Sequence, residues 1–195
     1  MTTERSPKAN EIISYTRQLL TSGGYQSFSF ADISAKVNIR KASIHHHFPS
    51  KAELVKVVVT EYREEAWAGM QAMSQQMNDP LAELQAYVDY WTTCIREGSS
   101  PFCICAMLAV ELPTLPAEVA REVSGHFADL TEWLATLLRR GESEKRLRLP
   151  VSPADEASLL MATVHGAMLS ARAFNDADIF RRIVQPLIDN IVVRA

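Results

Sequence analysis

Cysteine is scarce in this sequence, and so are long apolar runs. Three cysteines occur among 195 residues, a small and odd number that is typical of reduced thiols and not of a disulfide-stabilised fold. No apolar run approaches the roughly 18 residues that a membrane-spanning helix needs. The first residues are polar and lack the hydrophobic segment of a secretory signal peptide. Together these absences favour a protein of the cytoplasm.

Signals for strands, cofactors and catalysis are also missing. No stretch of strand length alternates between apolar and polar residues. The sequence contains no glycine-rich phosphate loop, no set of four metal ligands and no local catalytic signature. We therefore expect no cofactor, no bound metal and no enzymatic activity.

Helix signals, by contrast, run through the chain. Hydrophobic residues make up 47% of the sequence, which is enough for a substantial core. Three serines are each followed three residues later by an acid, the capping-box pattern of a helix start: Ser29 with Asp32, Ser50 with Glu53 and Ser152 with Asp155. The pattern predicts an all-α fold. The predicted helices cover residues 7–22, 29–36, 40–47, 50–77, 80–97, 103–112, 116–141, 153–174 and 176–193.

Positive charge is concentrated near the start of the chain. Residues 1–60 carry eight Lys or Arg against four Asp or Glu, whereas residues 61–195 carry twelve against nineteen. A basic segment ahead of an acidic body suggests that the first part meets an anionic polymer. A chance distribution of a few charges is the alternative explanation.

Two short helices near residues 29–36 and 40–47 have the pattern of a helix-turn-helix. Asn38 stands between them and can adopt the left-handed conformation that ends a helix tightly. The second helix presents Arg40, Lys41 and Ser43 outward, and their donors can read base edges in the major groove of DNA. The inward face is predicted to contain Phe30, Ile33, Val37, Ile39, Ile44 and Phe48.

Three consecutive histidines, His45, His46 and His47, follow on the second helix. Successive helical side chains point about 100° apart, whereas helical zinc ligands are spaced by three or four residues. We therefore interpret His45 and His46 as facing a DNA backbone and His47 as facing the protein. A metal-sensing role and three merely solvated histidines are the alternatives. Lys51 lies in the first turn of the next helix, where backbone N–H groups attract a phosphate.

The segment GGYQSFSFADISAKVNIRKASIHHHFPSKAELV resembles the DNA-binding head of TetR-type (TetR/AcrR) transcriptional regulators. The most specific part is the run from Asn38 to Lys51. Asn38 stands where the family usually has glycine, and His45 stands where it usually has tyrosine. That tyrosine typically reaches a DNA phosphate, so a histidine gives the contact a pH-dependent charge. The resemblance implies phosphate contacts by Ser29, His45, His46 and Lys51.

The same resemblance implies a division of the chain and a dimer. Residues 1–50 would form the helix-turn-helix DNA-binding domain and residues 51–195 a ligand-binding and dimerisation domain, with the helix at residues 50–77 connecting them. Helices 153–174 and 176–193 would pair with those of a second copy. Such a homodimeric repressor would bind a pseudo-palindromic operator, since one recognition helix reads few bases. A small-molecule inducer would release it.

Large, soft side chains in residues 81–195 are suited to an apolar ligand pocket, although an all-helical core needs the same side chains. Two histidines inside apolar helices could supply polar contacts to a ligand, or they could be satisfied within the core. The candidate pocket residues are Tyr87, Trp91, Cys103, Met107, His126, Trp133, Met161 and His165.

Cys103 stands at the start of a predicted helix, where a helix N-terminus favours the reactive thiolate. The spacing from Cys103 to Glu111, Cys-x7-Glu, is similar to that in a subset of TetR-type regulators that sense electrophiles or aldehydes. Cys103 would then be an electrophile or redox sensor. The alternatives are a buried small hydrophobe and a thiol-dependent enzyme that uses Cys103 with His126 or His165. Cys105 is predicted to point about 200° away on the helix, too far round to bridge to Cys103.

Overall fold

The computed structural model describes residues 5–98 and 102–193, and in these ranges the chain forms nine α-helices and no strand. The all-α prediction is therefore confirmed. An isolated antiparallel bridge joins Leu147 and Val192, and short 3-10 turns span Tyr25–Ser27 and Leu112–Thr114. The helices are α1 (Pro7–Gly23), α2 (Phe30–Val37), α3 (Lys41–His47), α4 (Lys51–Met77), α5 (Pro80–Glu97), α6 (Ile104–Ala109), α7 (Ala117–Ser143), α8 (Pro153–Phe174) and α9 (Asp178–Ile191).

The helices begin where their capping residues stand. Ser29 and Asp32 form a complete capping box at α2. The Ser29 side chain accepts the backbone N–H of Asp32, and the Asp32 carboxylate accepts the backbone N–H of Ser29. Ser50 accepts the N–H of Glu53 at 3.1 Å, and Ser152 accepts that of Asp155 at 3.2 Å. These bonds satisfy amides that the helix itself leaves without partners.

Helix α6 is shorter than predicted. It ends at Ala109, whereas the apolar pattern predicts a helix to residue 112. The N–H of Glu111 binds the carbonyl of Leu108 at 3.0 Å, which tightens the chain, and Pro113 then lies in the 3-10 turn. Proline lacks the N–H that a continuing α-helix requires.

The described residues form two compact units. One consists of residues within 1–64 and 103–126, and the other of residues within 65–102 and 127–195. The predicted boundary at residues 50 and 51 concerns DNA-binding and ligand-binding roles, and it stays a prediction. Fully buried residues include Ile12, Leu20, Ile33, Ile44, Leu54 and Leu108 in the first unit and Leu84, Val88, Leu134, Leu138, Val164 and Phe180 in the second.

None of the helices in the described ranges is long and apolar enough to cross a membrane. Within the second unit, α8 and α9 pack against each other. The buried side of α9 consists of Phe180, Val184, Ile188 and Ile191.

Glu156, in the first turn of α8, is a buried carboxyl group without an evident counterpart. Only 1% of its surface is exposed, and neither carboxylate oxygen has a hydrogen-bond partner among the described residues. Buried Glu83 differs, because it accepts hydrogen bonds from Ser74 at 2.8 Å and Arg140 at 2.9 Å. Burial raises the pKa of Glu156, so the folded protein holds this proton more tightly than the unfolded chain does.

Glu156→Gln is expected to stabilise the protein at pH 7 by about 1 kcal/mol, because it removes a buried charge with no hydrogen-bond partner. A raised pKa in the folded state makes wild-type stability fall as pH rises above the ordinary glutamate value near 4.3. The gain should therefore shrink towards pH 4, where Glu156 in the folded wild type is mostly protonated and, like the glutamine of the variant, carries no charge. Chemical denaturation at fixed protein concentration across pH 4–7.5 measures this, and a pH-independent difference would contradict it.

Candidate functional site

The helix-turn-helix is closed by a tight turn between α2 and α3. Asn38 adopts the predicted left-handed conformation, with φ 53° and ψ 51°. The N–H of Ile39 binds the carbonyl of Ser34 at 3.2 Å, and the Ser34 hydroxyl donates to the carbonyl of Ile39 at 2.6 Å. Sequence reasoning missed Ser34, although a serine near the end of a short helix is a known partner for nearby backbone groups.

The faces of α3 are divided as the sequence predicts. Ile44 is completely buried and Phe48 is nearly so, which anchors the helix to the first unit. Phe30 and Ile39, predicted to lie in the core, are only half-buried, because they stand at the edges where α2 begins and the turn ends. The exposed residues on and beside α3 include Arg40, Lys41, Ser43, His45 and His46, as predicted.

The three histidines are not arranged as metal ligands. Nδ1 of His45 donates to the carbonyl of Pro49 at 3.2 Å, and the His45 ring meets the Phe30 ring edge-on at 4.9 Å. The rings of His46 and His47 lie edge-on, with their centres 5.6 Å apart. His47 is half-buried. Across the part of the chain that the structure describes, no group of three His, Cys, Asp or Glu side chains could hold a metal ion.

Ser29 and Lys51, two predicted phosphate contacts, also have partners within the head. The Ser29 hydroxyl donates to Asp32 at 2.8 Å, and this bond is the main cause of the lowered pKa of Asp32. The Lys51 ammonium donates to the carbonyl of Phe28 and lies 4.6 Å from the Tyr25 ring centre and 4.2 Å from the Phe28 ring centre. Burial lowers the pKa of Lys51, which the charges of Glu111 and Asp32 oppose. Both phosphate contacts stay predictions.

A buried thiol and imidazole lie together in the first unit. Sγ of Cys103 is 3.7 Å from Nε2 of His126. The centres of the Tyr62 and His126 rings are 5.3 Å apart. Cys103 has no exposed surface, and His126 is 5% exposed. The three cysteines, Cys94, Cys103 and Cys105, are free thiols and all buried. An imidazole beside a thiol can accept the thiol proton and leave a nucleophilic thiolate.

The predicted orientation of Cys105, about 200° away from Cys103, is wrong, although both thiols are free. A hydrogen bond with Cys103 and burial raise the pKa of the Cys105 thiol well above its usual range. The two side chains meet because Cys103 is the capping residue, with φ −67° and ψ 124°, and not the first residue of the helix. The angular spacing of a regular helix therefore does not apply between them.

The candidate pocket residues divide between the two units. Cys103, Met107 and His126 lie in the first, and the others lie in the second. There, the Tyr87 and Trp133 rings are 5.6 Å apart, and Nε1 of Trp133 donates to the Ser74 hydroxyl at 3.1 Å. Nδ1 of His165 donates to the carbonyl of Met161 at 2.8 Å. Trp91 is buried as well. These contacts are those of a packed core, and the pocket stays a prediction.

The second unit also carries a surface groove of about 430 Å³ that involves none of the candidate pocket residues. An ion pair between Arg146 and Asp79, 3.0 Å long, lies in it. Its other lining residues include Leu81, Gln85, Gln185, Ile188 and Asp189.

Family comparison agrees with this architecture along most of the chain. Residues 12–58 match the model described as "Bacterial regulatory proteins, tetR family", and residues 80–187 match that of the "Tetracyclin repressor-like, C-terminal domain". The chain belongs to the TetR family. The TetR-family match places α2 and α3 in the DNA-binding domain of a transcriptional regulator.

Individual TetR-family relatives extend over nearly the whole chain. The crystal structure of a TetR-family transcriptional regulator from Agrobacterium tumefaciens is 49% identical, has a TM-score of 0.94, and covers 95% of this chain and 98% of its own. The HTH-type transcriptional regulator UidR from Escherichia coli is 22% identical over 89% of this chain and 86% of its own length. The HTH-type transcriptional repressor DhaR from a Mycobacterium species is 24% identical over 85% and 82%, respectively.

Within this TetR-family framework, the predicted helix-turn-helix and all-helical body are confirmed. The finer resemblance of Cys103 to the cysteine-containing, electrophile-responsive subset is not confirmed by these matches. That role stays a prediction which depends on the geometry of the thiol and its neighbours.

Proposed function

We propose that the protein is a homodimeric, ligand-responsive transcriptional repressor that acts in the cytoplasm on a pseudo-palindromic operator. The observation that carries the proposal is the exposed face of α3, where Arg40, Lys41 and Ser43 stand opposite the fully buried Ile44. A helix fixed on one face and lined with donors on the other suits base reading in the major groove. The repressor named DhaR among its relatives supports repression as the output.

Dimerisation through α8 and α9 is supported by an apolar stripe that the chain leaves exposed. Leu169 is 59% exposed, and a Cβ added at Gly166 would meet no atom within 4 Å. Ile183 on α9 is also exposed. Exposed apolar residues that repeat with helical spacing mark a protein–protein interface. The exposed stripe on α8 consists of Leu159, Ala162, Gly166, Leu169 and Ala173.

Release from DNA by a thiol-reactive electrophile is supported by the pairing of Cys103 with His126. The imidazole accepts the thiol proton, and the thiolate adds to the β-carbon of an α,β-unsaturated carbonyl compound. One S–C bond forms, the carbon–carbon π bond is lost, and the proton ends on the α-carbon, so nothing leaves. A bulky adduct in a fully buried site would disturb α6 and lower the affinity for DNA by favouring another conformation.

Cys103→Ser is expected to abolish the response to an electrophile while leaving DNA affinity unchanged. The purified protein is titrated with its own upstream DNA in a mobility-shift assay, with and without a small α,β-unsaturated aldehyde. Treatment should weaken wild-type binding by about 5- to 150-fold, the usual range of allosteric coupling. Mass spectrometry should locate one adduct on Cys103.

Cys94→Ser is the matched control, since Cys94 is a buried thiol of the second unit. It should respond like wild type. A Cys103→Ser variant that still responds would remove Cys103 as the sensor and direct attention to a non-covalent ligand near Tyr87, Trp91 and Trp133. Wild-type protein that binds no DNA duplex would contradict the repressor proposal itself.

A further inference from the structure

Glu111 holds the turn that leads into the helix-turn-helix. Its Oε2 accepts the N–H of Tyr25 at 2.6 Å, and its Oε1 accepts the N–H of Gln26 at 3.0 Å. One carboxylate thus binds two consecutive amides from a segment 85 residues earlier in the chain. Hydrogen bonds to an ionised acceptor are stronger than those between neutral groups.

The backbone of Glu111 is itself fixed, so the carboxylate is held in position. The N–H of Glu111 binds the carbonyl of Leu108 in α6 at 3.0 Å. Its carbonyl accepts the N–H of Thr114 at 2.9 Å and the Thr114 hydroxyl at 3.0 Å. Helix α6 packs against α1 in the same unit. The two hydrogen bonds from the amides of Tyr25 and Gln26 therefore connect the turn after α1 to the segment after α6.

Gly24 gives the carboxylate room to approach. A Cβ at this position would lie 2.5 Å from Oε2 of Glu111, closer than real Cβ atoms come. The φ of Gly24 is +79°, in the region that other residues rarely adopt. The glycine thus permits both the turn after α1 and the contact with Glu111.

The turn held by Glu111 is continuous with Ser29 and Lys51, the two residues of this region that are predicted to contact DNA phosphates. Tyr25 and Phe28 enclose the ammonium of Lys51, the first residue of α4 after the recognition helix. Ser29, which caps α2, follows Phe28 directly. The position of the turn therefore sets where α2 begins and where the Lys51 ammonium lies.

We propose that Glu111 is a positioning residue for DNA binding, whose carboxylate fixes the Tyr25–Ser29 segment and thereby aligns α2 and Lys51 with the DNA backbone. It acts through the turn and does not contact the DNA. The proposal rests on the proposed function in that it requires the head to bind DNA.

Glu111→Gln distinguishes positioning from simple electrostatics because the two predict opposite signs. Removing a negative charge from a basic head should tighten binding to anionic DNA if charge alone matters. An amide at residue 111 retains one acceptor and points an NH₂ group at a backbone N–H, so the positioning role predicts weaker binding. We expect roughly a tenfold loss, since a hydrogen bond to a charged group contributes on the order of one tenfold step to an equilibrium.

Glu118→Gln is the matched control. Burial and, to a smaller extent, the charge of Glu118 raise the pKa of Tyr25, so this acid lies close enough to the same turn to affect it. Its removal should leave binding unchanged or slightly tighter. Affinities are measured by fluorescence anisotropy on a duplex that wild-type protein has selected from a randomised library. A thermal melt and circular dichroism of each variant establish that it is folded.

Local hydrogen exchange gives a readout that separates an effect on the turn from a change in overall stability. In Glu111→Gln, the amides of Tyr25 and Gln26 should exchange faster than in wild type, while those of α1 are unchanged. If Glu111→Gln does not fold, Glu111→Asp replaces it and should show the same local exchange with a smaller loss of affinity. Folded variants that bind DNA as tightly as wild type would overturn the inference. Failure of wild-type protein to select any duplex would instead refute DNA binding as such.

Discussion

Replacing Leu169 with glutamate is expected to convert the protein to a monomer and to weaken operator binding by about 100-fold or more, the gain that linked binding sites commonly provide. Leu169 is 59% exposed within one chain, so the substitution should leave the fold of each copy intact. In a dimer, the same position would place a charge in an apolar interface, where its loss of hydration is costly. Sedimentation equilibrium gives the mass, and anisotropy gives the affinity.

Met77→Glu is the control for this change. Met77 is the last residue of α4 and is 42% exposed. Like Leu169→Glu, this substitution therefore replaces an exposed apolar side chain by an acid. It should remain dimeric and bind DNA normally. A Leu169→Glu protein that is still dimeric would show that the exposed stripe on α8 is not the interface. Retained operator affinity in a monomer would show that one recognition helix suffices.

Lys41→Ala should weaken specific binding by roughly 1–3 kcal/mol, about 5- to 150-fold, if the ammonium reads a base edge. Lys41 is exposed at the first position of α3, and its charge contributes to the lowered pKa of Asp32 in the neighbouring helix. A base contact would cost affinity for the operator and little for random DNA. A phosphate contact would cost affinity for both and reduce the salt dependence by about one charge.

Arg139→Ala removes one positive charge from an exposed site on α7 in the second unit and serves as the control. Binding isotherms at several salt concentrations should be indistinguishable from those of wild type. If Lys41→Ala also changes neither the affinity nor the salt slope, the outward face of α3 has been assigned incorrectly.

The sequence predicts most helix starts because these depend on local chemistry. A serine or aspartate side chain binds amides only two or three residues away, as at Ser29 and Asp79, so the signal and its partner lie in one short window. The left-handed Asn38 was predictable for the same reason. The outward set on α3 follows from the apolar spacing of Ile44 and Phe48.

Features that depend on distant residues were not predictable in this way. The bonds from Glu111 to Tyr25 and Gln26 cross a long stretch of chain, and nothing near Glu111 marks its partners. The contact between Cys103 and Cys105 was missed because it depends on whether Cys103 precedes the helix or begins it, a difference of one residue. The candidate pocket could not be separated from core packing, because both use buried aromatic and methionine side chains.

Helix α6 has consequences for the timescale on which its thiol becomes available. Six residues are far fewer than the roughly 12–15 at which an isolated helix becomes marginally stable in water. Its persistence therefore depends on packing against neighbours such as α1, and such segments open locally at a lower free energy than the protein unfolds. Cys103, at its first end, is fully covered in the closed form. We therefore expect Cys103 to react only after α6 opens locally, at a rate that follows the fraction of molecules in the open form.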